Sequence, residues 1–285
     1  MKFISLLYVF LIMILAQSCE IINPVEDIPS YIYIDTIELK INNAALGENT
    51  SKITDAWVYH KNNLVGVYEL PSRIPVLGSD STDILIAAGI INNGKLNTRI
   101  AYPFYKIFSK KVFLNEAKIE TLDVDVDYFD QSSLNLFLME DFEFGNSLEK
   151  YSGDTSLIKI SGEGALNNTN SGYIFMDTVY NEFEIISSDH FELPNAGSTL
   201  FLEMDYKCSN NFTIGLLVDN DIYFEKRFKL TLVDKDDWNK IYINLSNMIY
   251  GNQNNKYHLL IGGILDNNKD YGEIYIDNLK LIGFN

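Results

Sequence analysis

Two thiols, three imidazoles and 39 carboxylates are the side chains of this 285-residue chain that could do chemistry. Cys19 ends the stretch "ILAQSC", directly after an apolar run, and Cys208 lies in the alternating stretch "LFLEMDYKCS". His60, His190 and His258 fall in three separate segments. None has the H-x-x-x-H type of spacing that lets two imidazoles share a metal from one helix face. The chain has no G-x-S-x-G elbow, no P-loop and no G-x-G-x-x-G turn. A glycosidase needs only two carboxylates set by the fold, without a spacing rule. Among 39 acids some pair is always at hand, so the count selects nothing. The reading is a protein that is not an enzyme, with a carboxylate-based glycoside hydrolase as the least favoured alternative.

The chemistry of Cys19 depends on what precedes it. After Met1 and Lys2, Phe3 to Ala16 is apolar apart from Ser5, a run of 14 residues. A spanning helix needs roughly 20, whereas a secretory apolar region needs about 7–15. Ala16 and Ser18 are small residues at the −3 and −1 positions of a cut before Cys19. An ordinary signal peptidase would cut this bond. A lipoprotein signal peptidase would cut it too, and only that enzyme requires the cysteine, whose sulfur is diacylated first. The stretch resembles the loose lipobox of Bacteroidota lipoproteins. That resemblance implies acylation of Cys19 by chains such as palmitate, a bilayer anchor, and an outer-membrane address facing the periplasm or the cell exterior. Two or three acyl chains suffice for durable anchorage.

Net charge is 22 − 39 = −17. Such an acidic chain lacks the clustered Lys and Arg that nucleic acid or anionic lipid would demand. Hydrophobic residues make up 47%, enough for real cores, and 18 Tyr with 17 Phe suit strands. If Cys19 is acylated, Cys208 has no thiol partner and reads as a small apolar core residue.

Residues 1–18 read as a signal peptide and 19–30, with Pro24 and Pro29, as a tether. From Tyr31 the pattern turns to period two. "ITDAWVYH" and "LVGVYEL" flank a short "KNN" turn, and Asn93-Gly94 signals a type I′ turn. Six or seven strands by Leu114 predict an immunoglobulin-like sandwich over 31–114. Residues 115–139 read as a connector. From Glu140 to Asn285, eight or nine strands between Asn, Gly and Asp clusters predict a jelly roll. The fold class is therefore all-β, two sandwiches in series.

Three stretches of the second half carry a resemblance: "DFEFG" at 141–145, "DDWNKIYINLS" at 236–246 and "EIYIDNLKLI" at 273–282. Together they resemble the carbohydrate-binding-module type of jelly roll, the galactose-binding-like group. The first half, through "KITDAWVYHKNNLVGVYELPSRIPVL" and "YPFY", resembles a recurrent lipoprotein domain of Bacteroidota to which no activity attaches. The jelly-roll resemblance implies a structural calcium ion bridging the first and last strands. Glu143 and Asp277 match its carboxylate positions, and oxygen ligands suit that ion. It also implies glycan binding through aromatic platforms, with Trp238, Tyr223 and Tyr257 as candidates. Ile274 and Ile276 share one parity and Leu279 and Leu281 the other, which predicts a bulge near Asp277-Asn278. The functional expectation is a membrane-anchored, non-catalytic glycan-binding lipoprotein. The alternative is a structural or assembly lipoprotein that docks onto another envelope protein.

Overall fold

The computed structural model describes residues 26–193, 196–220, 222–250 and 255–285. Cys19 and residues 1–18, expected to be a signal peptide, lie outside them. The first unit comprises β1 (Ser30–Ile34), β2 (Ile37–Leu39), β3 (Asp55–His60), β4 (Asn63–Glu69), β5 (Ser72–Val76), β6 (Ser81–Ile91), β7 (Arg99–Ala101), β8 (Phe108–Phe113), β9 (Ile119–Thr121) and β10 (Val124–Val126). The second comprises β11 (Leu134–Glu140), β12 (Leu148–Gly153), β13 (Ile158–Ser161), β14 (Asn170–Asp177), β15 (Glu182–Ser187), β16 (Leu200–Cys208), β17 (Phe212–Asp219), β18 (Phe224–Leu232), β19 (Lys235–Asn244), β20 (Lys256–Ile264) and β21 (Tyr271–Phe284). Only single turns of 3-10 helix interrupt them among the described residues.

In the first unit β4-β3-β6-β7 form one sheet, with β8 also on β6. Opposite lie β5-β1-β9 and the pair β10-β2, in which β1–β9 and β2–β10 run parallel. This is an immunoglobulin-like sandwich. Its strands obey the alternation of the sequence: Ile32 and Ile34 are fully buried while Tyr31 and Tyr33 stay half-exposed. The hairpin between β3 and β4 turns on Lys61 and Asn62, both at positive φ, as a tight two-residue turn requires. Residues 115–139, expected to be a connector, contribute strands to both units. β9 and β10 pair with β1 and β2, and β11 pairs with β21.

The second unit is a jelly-roll sandwich of two sheets, β13-β14-β21-β16-β19 with β11 on β21, and β12-β15-β20-β17-β18. Strand β21 is long enough to pair with β14 along its first half and β11 along its second. The bulge expected there is present. Glu203 faces Lys280 but Asp205 faces Asp277, and Asn278 takes φ 47°. The extra residue turns Ile274, Ile276, Leu279 and Leu281 all toward the core, each at 0% exposure. Cys208 is buried in the same core, and burial pushes its thiol up to about 11.

The outer side of the β21 sheet is roofed at one end by the first unit. Phe201, Tyr242 and Ile282 belong to that unit's hydrophobic core rather than to the jelly roll's. Beside them lies a buried polar band. Glu203, at 0% exposure, accepts hydrogen bonds from the hydroxyls of Tyr102 (2.6 Å) and Tyr128 (2.8 Å). Lys280 donates to the Tyr128 hydroxyl at 2.8 Å. Lys240 reaches Asp205 at 3.3 Å and Thr50 Oγ1 at 2.9 Å. A charge so deeply buried is tolerable only when paired and fully hydrogen-bonded. The Asn93–Gly94 turn, with both φ positive, closes the seam: Asn93 N–H donates to the Tyr242 carbonyl at 2.8 Å.

Candidate functional site

A groove of about 630 Å³ crosses the opposite face of the jelly roll, which buries Ile186, Leu217 and Leu260 further along the same strands. Register builds its floor. Ser152 pairs with Glu184, Glu184 with Gly262, Gly262 with Thr213, and Thr213 with Thr231. One transverse row of short and polar residues thus runs across all five strands. Gly215, one step along, lies between Leu260 and Phe228. A Cβ there would sit 2.2 Å from the Arg227 carbonyl oxygen, so the strand closes up only because the residue is glycine.

Aromatic rings stand around this floor. Phe228 lines it and is 53% exposed. Tyr151 and Phe224 stand edge to face, with ring centres 6.5 Å apart, on the flanking strands β12 and β18. Between them Lys226 Nζ lies 5.3 Å over the Tyr151 ring and donates to both oxygens of Glu184 at 2.6 and 2.7 Å. Ser152 Oγ donates to the same carboxylate. Burial pushes the Glu184 carboxyl up, but the bonds from Lys226 and Ser152 outweigh it and hold the group below its ordinary value. Asp266 at the other end accepts from Asn211 and lies 3.4 Å from Lys269 Nζ. Flat apolar surfaces beside fixed donors and acceptors can stack a sugar ring and bond its hydroxyls.

The residues singled out by sequence lie elsewhere. Tyr223 is exposed at the tip of the β17–β18 hairpin, one residue before Phe224, and its N–H is held by Asn220. Tyr257 is buried at 3% exposure in the jelly-roll core, so it offers no face to a ligand. Trp238 is half-buried on the outer side of the β21 sheet, edge-on to Tyr275 at 6.3 Å. There Lys207 Nζ covers the Tyr275 ring at 4.3 Å, and the hydroxyls of Tyr173 and Tyr275 both donate to Glu273.

Glu143 accepts from the Asn170 backbone N–H and amide at 3.0 and 2.7 Å. Asp277 accepts from Ser171 Oγ and Asn278 N–H, both at 2.7 Å. Burial pushes the Asp277 carboxyl up to about 7. Among the described residues no three His, Cys, Asp or Glu side chains gather to hold a metal ion. Both carboxylates are held by N–H and hydroxyl donors of the chain itself.

The groove aromatics had a sequence signal of their own. In "YFEKRFKLTL", Phe224, Lys226 and Phe228 share one parity and are exposed, with Arg227 buried between them, whereas a bulge at Lys229 puts Leu232, of the same parity, on the buried side. Period two shows that two faces exist and not which of them meets water.

No family model matches the chain, and no curated protein matches it. Among solved structures the chain is similar to the family 11 carbohydrate-binding module of a cellulosomal cellulase of Clostridium thermocellum. That likeness has TM-score 0.38 and 20% identity over 52% of this chain and 95% of that one. It is also similar to the CBM22-1–GH10 modules of Clostridium thermocellum endo-1,4-β-D-xylanase 10B complexed with xylohexaose (TM-score 0.38, 12% identity, 53% of this chain and 28% of that one). A family 29 carbohydrate-binding module gives TM-score 0.34 at 13% identity over 53% and 85%. At these scores and identities no ligand is carried across to this chain.

Proposed function

We propose that this is a non-catalytic glycan-binding protein, anchored as an outer-membrane lipoprotein through acylated Cys19, and that the groove on the β20 sheet is its binding site. The observation that carries the reading is the solvent-facing ring of Phe228 on a floor of Thr, Ser, Gly and Glu residues, with the exposed Tyr151 ring beside its Lys226 and Phe224 edge-on to Tyr151. Large apolar rings left in water beside a groove are the usual mark of a binding surface. Glu184 is not suited to the role of a glycosidase's acid. A glycosidase acid must hold its proton near neutrality, whereas Lys226 and Ser152 keep Glu184 ionised.

The test is retention of the full mature chain on a panel of polysaccharides, measured by affinity electrophoresis beside Phe228→Ala. Retention by the wild type and its loss in a folded Phe228→Ala protein supports the groove. No retention of the wild type by any polysaccharide overturns it. For the anchor, labelled palmitate should appear in the wild type and not in Cys19→Ala.

One observation favours docking instead. Ile28, Leu64 and Leu77 are exposed on the first unit, and Leu64 and Leu77 line a hollow of about 720 Å³ with Glu26 and Asp27, next to the tether. An assembly lipoprotein would bury that patch against an envelope protein.

A further inference from the structure

Acids outnumber bases 39 to 22, yet lysines collect where the two units meet. Beside the Asn93–Gly94 turn lie two hollows of about 450 and 370 Å³, with Asn93 and Leu230 in the walls of both. Lys95 and Lys229 line the first, Lys52 and Lys235 the second. One lysine of each pair comes from each unit, so the cleft exists only in the assembled chain.

Two further lysines share these walls, Lys226 in the first hollow and Lys240 in the second, and they differ from the four just named. Lys226, Lys240 and Lys280 face carboxylates. Among the described residues none of these four makes an ion pair, and their polar contacts are amides: Lys229 on Asn247 at 2.6 Å, Lys52 on Asn239. They crowd one another instead. Burial and then Lys95 hold the Lys229 ammonium below its ordinary value, and burial and then Lys235 do the same to Lys52. Arg227 adds a second sign. It lines the first hollow at 9% exposure, with its terminal nitrogens on Glu225 and on the carbonyls of Met248 and Tyr250. Its Nε–H, buried, has no partner among the described residues. Glu225, in the wall of the first hollow, is engaged by Arg227, so lysines held together without an ion pair of their own, beside an unmet donor, favour an anion in the space between them.

The first hollow adjoins the groove across edge strand β18, since Lys226 and Phe228 line both. A chain lying in the groove and crossing edge strand β18 arrives at Lys229 and Lys95. We propose that the groove continues over β18 into this lysine-lined cleft, and that the ligand is a glycan bearing anionic substituents, carboxylate or sulfate. This inference rests on the glycan reading of the groove and names the ligand class. The overall negative charge does not oppose it at contact, since charges more than about 8 Å away are largely screened at physiological salt.

The experiment uses the full mature chain with matched probes: polygalacturonate against its methyl ester, and dextran sulfate against dextran, with a neutral β-glucan as reference. Binding to polygalacturonate or dextran sulfate should exceed binding to the uncharged partner by about tenfold, the worth of one charge-assisted contact, and should weaken as salt rises. Which of the two binds tells carboxylate from sulfate. Lys95→Gln/Lys229→Gln, which keeps the bond to Asn247 within reach, should remove that advantage and leave neutral β-glucan retention unchanged. Phe228→Ala should weaken every probe. Equal affinity for charged and uncharged partners, with Phe228→Ala still abolishing retention, overturns the cleft and leaves the groove standing. No retention of any polysaccharide overturns both. Binding to anionic phospholipid vesicles without any glycan retention also overturns the proposal, since the lysines would then face a lipid surface.

Discussion

The two outer faces of the jelly roll carry similar residues to different ends. Each has a glutamate with lysine beside it, and each has aromatic rings within reach. On the β21 sheet Glu203 meets Tyr102, Tyr128 and Lys280 under the first unit, with every partner buried. On the β20 sheet Glu184 meets Lys226 and Ser152 at an open groove, and the rings of Phe224 and Phe228 face water. Even where the β21 face emerges from its roof, its polar groups close on one another through Lys207, Glu273 and the tyrosine hydroxyls. Composition does not separate structural from binding surface here. What separates them is whether the partnered groups are sealed under the first unit or left open to water.

Removing the two glutamates in turn tests this most severely. Glu203→Ala leaves two tyrosine hydroxyls without their acceptor and takes a counter-charge from Lys240 and Lys280 in a dry seam, and should cost about 3–5 kcal/mol in denaturant unfolding. Glu184→Ala removes a pair that water can replace and should cost less than about 1 kcal/mol. Equal costs would break the comparison.

The second prediction concerns pH. Asp277, beside the roofed band, has its carboxyl raised from an ordinary 3.8 to about 7, chiefly by burial. Between those values the folded chain holds a proton that the unfolded chain releases, so this group's contribution to stability falls as pH rises from about 4 to 7 and is level above. The full penalty is up to about 4 kcal/mol at about 1.36 kcal/mol per pH unit. Asp277→Asn should remove the slope, so its stability relative to wild type should increase across that interval. A constant difference would show that Asp277 ionises normally in the fold. Calcium should leave both melting temperatures unchanged, and a calcium-dependent rise in the wild type alone would restore the ion.

Much of this architecture was legible in the sequence because strand alternation is local. The hairpin at Lys61–Asn62, the turn at Asn93–Gly94, the bulge at Asn278 and the buried Cys208 each follow from a few adjacent residues. The seam did not show. Glu203, Lys240 and Lys280 read as solvated charges, and only a fold that brings Tyr102 and Tyr128 across from the first unit makes them core. The connector was missed for the same reason, since the three-residue strands β9 and β10 are recognisable only through their parallel partners β1 and β2. The groove was hidden differently. Its aromatics lie in strands where either parity could face inward, and the outward one is set by packing between sheets.

The third prediction returns to the open face. Phe228→Ala takes a ring already half in water, so stability should fall by about 1 kcal/mol or less, while glycan affinity should drop about tenfold, the equivalent of about 1.4 kcal/mol. Calorimetric titration with the polysaccharide that the wild type retains reads the drop, and thermal unfolding reads the stability.

The smallest effect is expected at the residue the sequence made most conspicuous. Trp238 is one of two tryptophans, and a tryptophan on a glycan-binding jelly roll invites the role of platform. Its ring, however, is edge-on to Tyr275, with Lys207 Nζ 5.8 Å above it, on the face turned away from the groove. Those contacts are intramolecular and half-exposed, worth about 0.5–1.5 kcal/mol together. Trp238→Ala should therefore lower stability by about that much and change glycan affinity by less than about twofold, or about 0.4 kcal/mol. The sign of the contrast matters more than its size. Phe228→Ala should lose binding while nearly keeping stability, and Trp238→Ala should lose stability while keeping binding. If Trp238→Ala instead abolishes retention in a folded protein, the binding face is the β21 sheet, and the division between a closed face and an open one has been drawn the wrong way round.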